Sequence, residues 1–236
     1  MNAEVRTTKT AAELSLSETY AAAKGTLPGV TALRESAFRK FEADGLPNRR
    51  VEEWKYTDLR ALMREARPVA GAPDAAGKAF AKDAGKIVGD MDARRVVFVD
   101  GAFVPELSDL TDLSKGLTIR PMAEALTRDD LLIAKHLGKL AEGDAAVSLN
   151  NALMRDGALI HVAAGSTVDK PIHLIFVAGP DKPVSIFTRS LVVIEKDARV
   201  MLIESHEGGR DHQINTALDL VAVSYTHLTL PTNREV

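Results

Sequence analysis

The 236-residue chain contains no cysteine. That absence rules out a disulfide framework and removes thiolate ligands for zinc or an iron–sulfur cluster from this polypeptide. It also fits a reducing compartment, so a cytoplasmic protein is expected. No stretch approaches the roughly 18 apolar residues that a membrane helix needs. The opening MNAEVRTTKTAAELS has no apolar core of export-signal length. Excess charge of one sign is missing too: Lys+Arg number 30 against Asp+Glu 33, for a formal net charge of -3. Such a balance argues against a dedicated nucleic-acid binder, which needs surplus positive charge to displace counterions. Walker, G-x-G-x-x-G and G-x-S-x-G motifs are all absent. That removes the obvious routes to nucleotide hydrolysis, dinucleotide binding and serine-hydrolase chemistry.

What is present is ordinary for a globular chain: 45% hydrophobic and 27% charged residues. The length suits one large domain or two small ones. The first half is helical in pattern. Val30, Leu33, Ala37, Phe38 and Phe41 form an apolar stripe at three- and four-residue spacing. Gly45 and Pro47 stop that helix. A second segment, from Val51 to about Arg64, carries Trp54, Tyr56, Leu59, Leu62 and Met63. Residues 67–78 (RPVAGAPDAAGK) are small and rich in Gly and Pro, and read as a flexible linker. Asp100-Gly101 separates two apolar runs and predicts a hairpin. Thr127 or Asp129 is placed to cap a helix on which Leu132, Ile133, Leu137 and Leu140 face one way.

The character changes near Leu149. Short β-rich runs follow at 158–162, 171–177, 184–187, 191–196, 199–205 and 214–223, punctuated by Gly, Asp, Lys and Pro. They leave no room for crossover helices, which excludes a βαβ sheet. An antiparallel sandwich and a parallel β-helix both survive. The lack of Asn-Gly or Asp-Gly hairpin signals in this half leans towards the β-helix.

Three stretches carry a resemblance. RRVEEWKYTDL (49–59), with Arg49, Glu53, Trp54, Lys55 and Tyr56, is similar to an R-x-E-x-W-K-Y-T-D-L signature. VVFVDGAFVPELS (96–108), with Gly101, resembles a family hairpin. LNNALMRDGALIHVAAGSTVDKPIHLIFV (149–177), with Gly157, Gly165, Pro171 and His173, looks like the entry into a β-helix. In this collinear order they resemble the SufB/SufD family of iron–sulfur cluster assembly proteins, its SufD members above all.

The resemblance implies an α+β fold: a helical domain with a small hairpin over residues 1–148, then the first coils of a right-handed parallel β-helix over 149–223. It implies a non-enzymatic scaffold. Its partner SufB would be met through the β-helices, and the SufC ATPase through C-terminal helical domains. Cluster chemistry would belong to the intact complex, with a transient iron–sulfur cluster and no cofactor in this chain. Family members are much longer, so a C-terminally truncated form of poor solubility is expected. Residues 224–236 (SYTHLTLPTNREV) do not continue the strand pattern and read as a foreign tail. A β-helix carbohydrate-active enzyme and a non-functional gene fragment are the competing readings. The first needs carboxylates aligned on one face, and Glu195 and Asp219 look isolated among apolar residues.

Few residues suggest chemistry of their own. Glu204, His206 and His212 lie in ESHEGGRDH (204–212), a mixture that suits a divalent metal. Gly208-Gly209 favours a plain polar turn there. His161 and His173 each sit inside an apolar run and read as hydrogen-bonded structural residues rather than ligands. Trp54 and Tyr56 read as anchors of the helical domain, with Arg49, Glu53 and Lys55 as an ion-pair network around them.

Overall fold

The computed structural model describes residues 8–139, 143–180 and 182–223, together with residue 229. The chain opens with helix α1 (Ala11–Ala23), set by a capping box in which Thr10 and Glu13 exchange side-chain-to-backbone hydrogen bonds of 3.2 and 2.7 Å. Helix α2 (Thr31–Asp44) follows the predicted stripe and ends where Gly45 takes φ 71°. Tyr20 stacks on Phe38 at 3.9 Å between centroids and joins the two helices.

The segment after α2 is less helical than expected. It holds one 3-10 turn, Glu52–Trp54, and a one-turn helix α3 (Leu59–Leu62). Asp58 divides them, because its carboxylate accepts from the Ala61 N–H and starts α3 afresh. Residues 67–78 do not hang free either. Val69 bridges to Ser185, Ala70 is buried, and Asp74 caps helix α4 (Ala75–Phe80). The small side chains that resembled a linker let this backbone lie close against a strand.

Strands β1 (Arg94–Val99) and β2 (Ala102–Phe103) form the predicted hairpin, with Asp100 and Gly101 both at positive φ, as a type I′ turn requires. Then come β3 (Leu117–Pro121), α5 (Met122–Leu126), α6 (Leu131–His136) and α7 (Ala145–Leu153). The cap of α6 is Asp130, not Thr127 or Asp129, and Leu140 lies outside the described residues. The chain finishes with β4 (Ala158–Val162), β5 (Ile172–Ala178), β6 (Ser185–Ile194), β7 (Leu202–Gly208) and β8 (Gln213–Ala222).

From β4 onward, successive strands alternate between two sheets, ordered β2-β1-β5-β7 and β3-β4-β6-β8. Both sheets are mixed. The β1–β2 and β3–β4 pairs are antiparallel, and every later pair is parallel. In the parallel pairs among β4–β8, paired residues stand 28 to 32 positions apart, as in Ser185↔Gln213, Ile172↔Leu202 and Leu159↔Leu191, whereas β1 and β5 pair at a separation of 78, as in Arg94↔Ile172. An antiparallel sandwich is therefore not what this half forms. The runs at 184–187 and 191–196 belong to one strand, β6, because the intervening Thr188, Arg189 and Ser190 are buried within it. The hydrogen-bonded framework also reaches back across position 148, since β1 and β3 lie in the same sheets as β4–β8.

The main core lies between the sheets, where Val96, Phe98, Leu174 and Phe176 face Ile119, Ile160, Val192 and Ile194. Outside one sheet, Val97, Val99, Ile175 and Val177 pack on Ala81, Ala84 and Val104. Outside the other, Leu159, Leu191 and Val193 pack on Met122, Leu126 and Ile133. With both faces covered, β5 and β6 are buried at every position. No helix among the described residues is long and apolar enough to cross a membrane.

Candidate functional site

A cleft of about 570 Å³ lies between the Trp54 segment, the start of α7 and the outer face of β6 and β8. Its geometry follows from one carboxylate. Asp144 caps α7 by accepting from the Ala146 and Val147 N–H groups at 2.7 and 3.0 Å. Its other oxygen accepts the Trp54 indole N–H at 2.9 Å, which pins the 3-10 turn to the helix. Leu59, Met63, Val147 and Phe187 line the walls. Asn215 on β8 donates to the Ala146 carbonyl at 2.9 Å and accepts from the fully buried Asn150 amide. The cleft is mostly apolar with a few fixed polar groups, which suits binding rather than bond-making.

The other motif residues near Trp54 divide sharply. Tyr56 is 88% exposed and anchors nothing, so only Trp54 fills the anchoring role expected of the pair. Lys55 pairs with Glu52 at 2.6 Å and lies over the Tyr56 ring at 5.4 Å. Arg49 and Glu53 are exposed and form no ion pair among the described residues, so the expected network is reduced to Lys55–Glu52. The later motif residues shape backbone. Gly157 sits at φ 153°, and a Cβ there would come within 2.0 Å of the Arg189 carbonyl oxygen. Gly165 turns at φ 68°, and the Pro171 carbonyl accepts the Arg94 N–H at 2.7 Å.

His173 is 2% exposed, with Nε2 2.8 Å from Ser205 Oγ. Burial, and then the neighbouring Arg95 cation, hold its imidazole below the usual histidine range. His161 lies 3.5 Å from Glu195, so Glu195 is not isolated. Glu204 and His206 are not in a loop but in β7, where they pair at 2.7 Å and His206 stacks on Phe176. Their register opposite Leu174 and Phe176 points them between the sheets. His212 is elsewhere, with Nε2 2.9 Å from the Gly179 carbonyl oxygen. Among the described residues, no three His, Asp or Glu groups converge as a metal site would require.

Three buried cations escaped the sequence reading: Arg94, 4% exposed and donating to the Asp109, Thr111 and Asp112 carbonyls, together with Arg189 and Arg34. Arg189 is 1% exposed and makes a bidentate pair with Asp219 at 2.7 and 3.0 Å, so Asp219 is not isolated either. The signal was available: opposite charges thirty positions apart in apolar runs that pair as β6 and β8, with Asp219 two residues beyond the register partner of Arg189. Arg34 is 2% exposed and donates to the carbonyls of Pro28, Gly29, Ala152 and Met154, joining α2 to the end of α7. Burial lowers its pKa to about 10, which leaves it charged at neutral pH.

Comparison with known proteins adds the following. Residues 7–174 match the family model described as the SufBD protein N-terminal region. The chain is 33% identical over 166 residues to an iron–sulfur cluster assembly SufBD family protein of Synechocystis, covering 68% of this chain and 35% of that protein. It is 29% identical over 133 residues to the iron–sulfur cluster assembly protein SufD of Escherichia coli, covering 56% of this chain and 28% of that protein. The chain thus spans about a third of the length of these curated relatives.

Proposed function

We propose a scaffold function from one premise: the chain belongs to the SufBD family. On this reading it is a cytoplasmic subunit of an iron–sulfur cluster assembly complex that positions partners and catalyses nothing itself. SufB is the partner met through the stacked strands. The SufC ATPase docks on the C-terminal helical domain of full-length members. The nascent cluster is cargo of the complex, and this chain brings no thiolate to hold it.

The observation that carries the reading is the alternation of β4 to β8 between two sheets, with parallel neighbours 28 to 32 residues apart. We take this as the first coils of a right-handed parallel β-helix, running from about residue 149 to 223 and joined to a mainly helical region before it. A solenoid of this kind grows by adding coils and offers a long rigid surface to a partner. Arg49, Glu53 and Tyr56 would belong to that outward surface. Trp54, Gly101, Gly157, Gly165, Pro171 and His173 would be structural. The assignment of residues 224–236 to a foreign tail falls, residue 229 apart, outside the described residues.

The test is co-purification. The tagged chain, expressed with SufB and SufC, should retain SufB at near-equal amounts and SufC only when SufB is present. A folded chain, shown by cooperative melting, that retains neither protein would overturn the reading.

A further inference from the structure

We propose that His173 is an acid-sensitive latch for the strap formed by residues 84–92, which lies across the outer face of the β1–β5–β7 sheet. Two hydrogen bonds tether the strap's first turn. The Ala84 carbonyl accepts from Arg95 Nη1 at 2.7 Å, and the Gly85 N–H donates to Glu207 Oε1 at 2.6 Å. Between these tethers the backbone descends onto the sheet. Gly85 is at φ 87°, and a Cβ there would stand 2.6 Å from Ile175 Cδ1, 3.1 Å from His173 Cε1 and 3.2 Å from Arg95 Nη1. Beyond Gly85 the strap is held lightly. Ile87 is 76% exposed, and Lys170–Asp92 at 2.9 Å is a surface ion pair.

His173 connects the tethers. Its Nε2 is 2.8 Å from Ser205 Oγ, and Ser205 Oγ in turn donates to the same Glu207 oxygen that holds Gly85, at 3.4 Å. The charged groups facing the imidazole are Arg95 from β1 and Glu207 from β7. The strap brings Lys86, which pairs at 2.7 Å with Asp83 in the turn just before it. A proton on the buried His173 therefore places a second cation beside Arg95. It repels the guanidinium that holds Ala84 and draws the Glu207 carboxylate away from Gly85. Both tethers weaken together.

The direction in pH follows from the folded-state imidazole, which burial and Arg95 hold below its ordinary value. A depressed folded value means the seated strap is fully stabilised above the unfolded histidine range and loses that support as pH falls through the lowered value. Amide hydrogen exchange over residues 84–92 of the full chain, corrected for intrinsic rate, is the measurement. Protection should fall several-fold between pH 7.5 and 5 while β5 stays protected. His173→Gln should remove that step. Unchanged protection at pH 5, or the same pH profile in H173Q, would overturn the latch. If H173Q does not fold, the wild-type imidazole can be titrated by NMR. Strap opening must then track His173 protonation, and opening while His173 is still neutral would sink the proposal.

Discussion

Strands β5 and β6 are buried from end to end, while β7 and β8, their neighbours in the same two sheets, are mostly half-buried or exposed. The inner strands are not purely apolar. They contain His173, Thr188, Arg189 and Ser190, all nearly fully buried. The outer strands answer most of these groups. Ser205 meets His173, Thr216 meets Thr188 at 2.9 Å, and Asp219 meets Arg189. The polar character of β7 and β8 is therefore partly a service to the strands beneath. A buried polar group in such a stack is tolerated because a complementary group arrives one interval of 28 to 32 residues later.

Removing an answering group should hurt most where a charge is left behind. Asp219→Ala strands a buried guanidinium and should cost about 3–5 kcal/mol in urea unfolding, even though β8 is an outer strand. Replacing both partners, Arg189→Met with Asp219→Leu, should recover most of that loss. Next comes packing. Leu174→Ala in β5 should cost about 2–5 kcal/mol, against about 1 kcal/mol for Leu218→Ala on half-exposed β8. Equal losses at the two sites would erase the distinction between inner and outer strands. Third, Thr216→Val leaves Thr188 without its partner and should cost about 1 kcal/mol. Smallest in its effect on the sheets is Thr10→Ala, which breaks the capping box. It should lower helical stability by about 1 kcal/mol while leaving hydrogen-exchange protection in β5 and β6 unchanged.

The same contrast explains what could be read from the sequence. Helix α2 was legible because its stripe and its Gly45 stop are local signals. The Asp100-Gly101 hairpin was legible for the same reason. The parallel pairing was not, because it joins residues about thirty positions apart and periodicity within a run is blind to it. The central Thr188–Ser190 triplet hid β6 as two strands, since Thr188 and Arg189 find their partners in β8 and Ser190 finds its partner, the Ala158 N–H, in β4. Of the cleft, Trp54 stood out as a motif residue. Asp144, which sets its position, looked like one acidic residue among many until α7 was in place.

Trp54 is the chain's single tryptophan, and this gives the cleft an optical property. Its indole is half-buried, and its N–H is bound to the carboxylate that caps α7. All tryptophan emission from the protein thus originates at one wall of the cleft. A molecule or subunit that enters the cleft changes the polarity around that indole directly. Loss of the Asp144 contact frees the ring to water and shifts its emission to longer wavelength. The protein carries its own fluorescent probe at the seam between its helical part and its stacked strands, with no label to add.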